Sequence, residues 1–439
     1  MRFSKHIGWF CILLSGMIIG QSHSAESVDI PFIWGHNWPS GAKALGMGGA
    51  YSAIADKQGA ILYNPAGLGR IQRTEAYASF SHMTYTSRLT SLGLSSEQAT
   101  SFTKLNDLGL NIPVPTYRGS LVFSFGYHRI RQLDTALMLN RFANHISAYD
   151  SVRIDYNHYT DGSLTNTCFG GAVEAAPDLF MGLSLNVWGG SREYNNLHTF
   201  RDNVYDLYYW SRFDSTDHST TRFSGLNFTL SMLYQIQNIG SIAAVMITPV
   251  TLKAKEDWDY EDVRDYEYYP PDDIENVLVW EDEASGYSEY KIRSPWIFRV
   301  GGALAKGPVT VSGDIEFIDY SQMRYVTNPP YADMDKASAN VLIRRELRHI
   351  KNMYFGGEVA VPGTSLKLRG GYTLLENPVK NADNKKRKIW SGGAGYTFSE
   401  QFSIDAAYAR TSWDGIADNL INDEQITSSK VLVTLSYQI

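Results

Sequence analysis

Cysteine is scarce, with two in 439 residues, and Cys11 lies in an N-terminal apolar run that reads as a removable export signal. The mature chain keeps only Cys168, which excludes an internal disulfide framework. After the first run no stretch of ~18 apolar residues occurs, so no transmembrane helix is expected. Charge is also thin, at 19% of residues against ~25% in ordinary soluble domains. A net charge of −7 argues against nucleic acid as a partner. No Pro-rich linker, low-complexity tract or composition shift divides the chain after residue 75, so one large closed architecture is expected there rather than several domains.

Motifs for catalysis are missing as well. Gly46-Met47-Gly48-Gly49 lacks the third glycine of a dinucleotide site and the Lys-Ser/Thr of a phosphate loop. The histidines show neither a zinc-protease pair nor a Gly-x-Ser-x-Gly neighbour. No catalytic residue, metal ligand or cofactor is assigned, and the chain is not expected to be an enzyme. The segment from Glu256 to Asp273 is dense in carboxylates and tyrosines, a composition that suits hard cations. It lacks EF-hand spacing, so a solvated external loop, able to serve as a docking surface, is the simpler reading.

What is present begins with Arg2 and Lys5, the apolar run Ile7 to Ile19, and small residues at Ser22 and Ser24. These are the parts of a secretory signal over residues 1–25. Aromatics reach 13%, with 28 Tyr and 10 Trp, enough for the two aromatic girdles of a membrane barrel. A Tyr-rich extracellular sandwich would fit the same composition.

Period-two alternation is clear in Val431, Val433, Leu435 and Tyr437 against Thr434, Ser436 and Gln438. It recurs in Leu121, Phe123 and Phe125, and in Leu179, Met181, Leu183 and Leu185. Elsewhere the second face carries charge, as with Asp314 and Glu316, which a wet lumen would accept. Tight turns near 116–119, 176–178, 237–240, 306–308, 362–364 and 399–401 alternate with long polar segments at 132–164, 192–221, 253–290, 320–349, 376–388 and 411–428. Short periplasmic turns and long external loops are the asymmetry of an outer-membrane barrel. Pairing each turn with its flanks predicts fourteen antiparallel strands over residues 75–439, the first near 75–86 and the last near 429–439.

Residues 26–74 do not read as barrel strands. Gly46, Gly48 and Gly49 crowd with small residues, as glycine permits close approach and positive φ, and Asn64 precedes Pro65 and Ala66. The stretches Ala44-Leu45-Gly46-Met47-Gly48-Gly49-Ala50-Tyr51, Ala55-Asp56 and Tyr63-Asn64-Pro65-Ala66-Gly67-Leu68 resemble the N-terminal signature of the long-chain fatty-acid transporter superfamily, of FadL/TodX type with its PorV-like branch. The resemblance implies an all-β, fourteen-stranded barrel integral to the outer membrane, with residues 26–74 plugging its lumen. It implies a passive channel for hydrophobic compounds such as long-chain fatty acids, gated at Gly46, Gly48, Gly49, Asn64, Pro65 and Ala66. Pro113 and Pro115 remove ladder donors and Gly126 adds a bend, so these three are candidates for an opening in the wall. The expected surroundings are outer-membrane lipid and lipopolysaccharide. The alternative is a PorV-like partner barrel, with secreted proteins docking on the long acidic loops.

Overall fold

A computed structural model of the chain describes residues 38–439 apart from 58, 92–93, 145–150, 203–209, 238, 267–278, 331–333, 381–385 and 415–422. The export signal lies outside the described residues. One antiparallel sheet dominates. Its first half holds β1 (Glu75–Ser91), β2 (Leu94–Val114), β3 (Leu121–Gln132), β4 (Thr135–Asn144), β5 (Ser151–Ala176), β6 (Leu179–Asp202), β7 (Trp210–Ile236), β8 (Gly240–Ile247) and β9 (Thr251–Tyr266). The second half holds β10 (Val279–Arg293), β11 (Ile297–Lys306), β12 (Val309–Asp319), β13 (Arg324–Tyr325), β14 (His349–Ala360), β15 (Leu366–Leu375), β16 (Arg387–Thr397), β17 (Phe402–Asp414) and β18 (Asp423–Gln438).

The sheet closes on itself, because β1 pairs with β18 from Glu75↔Gln438 to Thr90↔Asp423 as well as with β2. Closure leaves no lipid-facing edge, which a strand-built membrane span requires. Three barrel positions are broken strands: β3 and β4 both pair with β5, β8 and β9 with β7, and β11 and β10 with β8 and β9. Counting each as one strand and leaving out the two-residue β13, the barrel has the fourteen positions that the turn pattern predicted. The wall alternates as expected, with Phe123, Phe125, Leu183, Phe228 and Val311 exposed outward and Ser124, Ser184, Thr229 and Ser312 buried inward. Tyr396, Phe398 and Phe402 form a lower aromatic belt, and Trp296, Phe298 and Trp390 an upper one. At the tight turns Gly119, Asp178, Gly307 and Gly363 adopt positive φ, where glycine is least strained.

Four of the segments expected to be long loops are mostly strand, among them 411–428, whose described residues belong to β17 and β18. Residues 151–164 belong to β5, 192–202 to β6, and 251–266 with 279–293 form the β9–β10 hairpin. A membrane crossing needs only ~10 residues, whereas β5, β6 and β7 have 26, 24 and 27. They continue well beyond the bilayer as a standing sheet. Outside lipid neither face must be apolar, so the alternation stops while the ladder hydrogen bonds go on.

β12, β14, β15 and β16 are shorter, and the gap above them is filled by the chain between β12 and β14. There α1 (Lys336–Glu346) starts at Asp335, whose carboxylate accepts from Ser338 N at 2.8 Å. Asn340 fixes the helix to β13, accepting from Tyr325 N at 2.7 Å and donating to Tyr325 O at 3.0 Å. Tyr320, Met323, Tyr325 and Ile343 pack with inward-facing Leu252, Ile292, Ile318 and Ile350, making the largest apolar cluster among the described residues, at the barrel mouth.

Candidate functional site

Below that cluster the lumen is occupied by residues 38–72, held by short elements: the helices α2 (Ala42–Gly46) and α3 (Ala60–Tyr63), and a 3₁₀ turn over Pro65–Arg70. Too short to stand alone, they are fixed by side chains from the surrounding wall. Gly41 N donates to Asp107 at 2.9 Å and Ala42 N to Thr434 Oγ1 at 3.0 Å. Across the barrel, the Asp314 carboxylate accepts from Ser52 N at 2.9 Å, Ser52 Oγ at 2.7 Å and Tyr51 N at 3.2 Å. Carbonyls are met as well, Ala50 O by Ser312 Oγ at 2.9 Å, Gly48 O by Thr373 Oγ1 at 2.6 Å, and Ala53 O by Ser241 Oγ at 2.6 Å. Buried backbone groups need such partners, and here β2, β8, β15 and β18 each supply one and β12 two.

The backbones also approach closely. A Cβ on Gly182 would fall 2.2 Å from Ala66 N, one on Gly371 2.1 Å from Gly48 N, and one on Gly356 2.4 Å from Met47 O. Gly48 and Gly49 have positive φ of 62° and 79°, and a Cβ on Gly48 would meet Tyr372 N at 2.6 Å. A Cβ on Gly46 would stand 3.4 Å from both Arg369 Cβ and Gly393 Cα, which is ordinary contact. Gly182, Gly371, Gly356 and Gly48 are therefore held to glycine, because a backbone atom stands where a Cβ would go.

Asn64 is fully buried. Its side chain caps the 3₁₀ turn, Oδ1 accepting from Ala66 N at 3.1 Å, and its Nδ2 donates to Ser52 O at 2.7 Å. Ala66 N is shared with Ser231 Oγ of β7 at 2.8 Å, and Pro65 opens the turn, where its missing N–H costs nothing. The sequence candidates Gly46, Gly48, Gly49, Asn64, Pro65 and Ala66 thus share one lumen, the glycines against β14, β15 and β16 and the Asn-Pro-Ala unit against β6 and β7.

Pro113, Pro115 and Gly126 sit elsewhere. Pro113 pairs with Val122 and Gly126 with Gly109 in a ladder that runs unbroken from Asp107↔His128 to Val114↔Leu121, and Pro115 follows the end of β2. The Gly109–Gly126 pair is covered from inside by the stacked rings of Tyr77 and His128, 6.5 Å apart. His128 is packed and not wet, its Nδ1 3.1 Å from Asp107. Cys168 points inward, its thiol donating to Asn186 Oδ1 at 3.3 Å.

The wall side of this site escaped sequence reasoning. Its signal was available, because β5, β11, β14, β15 and β16 each carry one Gly-Gly doublet, at 170–171, 301–302, 356–357, 370–371 and 392–393. A doublet places one glycine on each face of a strand, and an inward glycine marks close backbone approach.

The family described as BamG matches this chain over residues 5–339. The chain belongs to the BamG family. In fold this BamG-family barrel is similar to a Pseudomonas aeruginosa FadL homologue, at a TM-score of 0.60 and 12% identity over 92% of this chain and 99% of that one. It is similar also to the P. putida toluene transporter TodX, at 0.61 and 14% over 92% and 99%. The Ralstonia pickettii toluene transporter TbuX gives 0.58 and 14% over the same shares. No curated protein matches this BamG-family chain by sequence. Closed barrel, outward apolar band and FadL-type fold make it an integral outer-membrane protein.

Proposed function

We propose that this barrel is an outer-membrane channel for the passive uptake of hydrophobic compounds, long-chain fatty acids among them. The observation that carries the reading is the apolar cluster at the mouth. A pore for polar solutes has a polar interior, yet Leu252, Ile292, Ile318 and Ile350 face inward under a lid of Tyr320, Met323 and Ile343. Such a level gives an apolar solute a place to leave water, at about 25 cal/mol per Å² of apolar surface buried. That the solved structures of similar fold include toluene transporters supports the same solute class.

Residues 1–25 serve as a cleaved signal and residues 26–74 as the movable plug. Passage requires the Asn64-Pro65-Ala66 turn to leave Ser231 and Gly182, with Gly46, Gly48 and Gly49 as the pivot against β14, β15 and β16. Exit into the membrane is assigned to the stretch of Pro113, Pro115 and Gly126, where the side chains of Tyr77, His128 and Ile61 cover a glycine pair.

The test is uptake of labelled oleate by cells carrying Ala66→Cys with Ser231→Cys, which ties plug to wall when oxidised. Cys168 is buried and does not compete. Uptake lost on oxidation and regained on reduction supports plug-gated passage, whereas uptake equal to that of a deletion strain in every state rejects fatty acid as the solute. A second reading, a PorV-like partner barrel for secreted proteins, is favoured by the sheet that β5, β6, β7, β9 and β10 raise above the membrane. Cargo missing from the secreted proteome of the deletion strain, with uptake unchanged, would select it.

A further inference from the structure

The standing sheet has a face continuous with the lumen, since Leu252 and Ala254 of β9 and Tyr290 and Ile292 of β10 are buried inward and the register above them is unbroken. Trp258, Tyr260 and Asp262 follow on that face of β9, opposite Gly286, Ala284 and Asp282 of β10. The indole of Trp258 lies flat across the neighbouring strand: a Cβ on Gly286 would fall 2.5 Å from its Cζ2 and 2.8 Å from its Cε2. The Tyr260 ring is within 6° of parallel to it, with centroids 6.5 Å apart, and its cross-strand neighbour is only an alanine. Two rings therefore tile one flat surface, and Trp258 keeps 37% of its area open to water.

Acceptors border the tile. Asp282 accepts from Tyr260 Oη at 3.3 Å, and Asp217, the cross-strand neighbour of Tyr260 on β7, accepts from Asn196 Nδ2 at 3.3 Å. Asp262 and Asp282 stand directly opposite each other, an arrangement that costs stability unless donors are shared between them. Each carboxylate has about four lone-pair sites, so acceptor capacity remains for a ligand.

We propose that this face binds a pyranose unit of a neutral oligosaccharide. The apolar C–H face of the sugar lies on Trp258 and Tyr260, and its hydroxyls donate to Asp217, Asp262 and Asp282. Aromatic bodies supply apolar area at low entropy cost, and a few placed polar groups fix orientation. A cationic peptide would also meet rings and carboxylates, but the protein already places its own cation there. Arg264, next on the same face, lies 4.4 Å from the Trp280 centroid and 4.9 Å from that of Phe213, taking the cation–π position and repelling a second positive charge.

Titration of the purified full-length barrel with hexasaccharides of α- and β-glucan, mannan and chitin, followed by tryptophan fluorescence and calorimetry, tests this. At least one is expected to bind, with affinity falling tenfold or more in Trp258→Ala and in Gly286→Val, which lifts the indole off the sheet. Trp296→Ala, in the lipid-facing belt, is expected to bind as wild type, and heat-modifiable gel mobility confirms that each variant is folded. Binding by none of the panel at millimolar concentration overturns the proposal. So does binding that survives Trp258→Ala, or a lysine hexapeptide that binds in a Trp258-dependent, salt-sensitive way while the sugars do not.

Discussion

At the scale of single residues, the lumen is decided by side chains that are absent. Gly371→Ala forces a methyl to within 2.1 Å of Gly48 N, and overpacking of this kind costs ~1–3 kcal/mol. The temperature at which the barrel loses its heat-modifiable mobility is expected to fall, whereas Gly313→Ala, whose nearest contact is 3.7 Å, should leave it unchanged. Asp314→Ala strands the N–H groups of Tyr51 and Ser52, at ~1–3 kcal/mol for a buried donor left unpaired. Faster proteolysis within residues 38–72, with the barrel intact, is the expected result. Asn64 was legible as a special position from the Asn-Pro pair alone. Ser231, the second acceptor of the Ala66 N–H, was not, because 165 residues separate it from Ala66 and a lone serine in a strand carries no signal.

At the scale of elements, the lid is packed on the apolar cluster and one side chain, Asn340, ties its helix to β13. Asn340→Ala releases both backbone groups of Tyr325, and cleavage between residues 320 and 347 should quicken in limited proteolysis while the barrel resists. The standing sheet carries a pH dependence through β5 and β6. Burial, then the charge of Arg192, lowers the pKa of His158 to about 4, and burial, then His158, lowers that of His198 to about 4. Both have an ordinary value of 6.5, so the opened sheet binds more protons than the closed one between those limits. Stability from these two groups is complete above pH 6.5 and declines as pH falls toward 4. Protection factors over residues 151–202, with the intrinsic pH dependence of amide exchange divided out, should accordingly be lower at pH 5 than at pH 7. Sequence patterning ended these strands at the membrane border because the rule it used, apolar outward and polar inward, holds only where lipid is the solvent.

At the scale of the whole molecule, the barrel and the sheet above it separate. Replacing residues 257–287 with a two-residue turn removes the outer hairpin but none of the fourteen membrane crossings, and the variant is expected to reach the outer membrane in heat-modifiable form. The sequence by itself determined the architecture: period-two alternation, six tight turns and the want of any apolar helix leave a closed antiparallel barrel as the one arrangement that pairs every backbone group in lipid. The small-residue signature near residues 44–68 raised the expectation of a plug, and its residues bond to side chains of the wall. Tertiary structure alone decided what faces that segment, how far the strands rise above the membrane, and which rings lie flat in water. Those depend on contacts between residues tens to hundreds of positions apart, such as Ala42 with Thr434 and Trp258 with Gly286. Local periodicity records which side of a strand is apolar; it holds no record of what lies across the lumen.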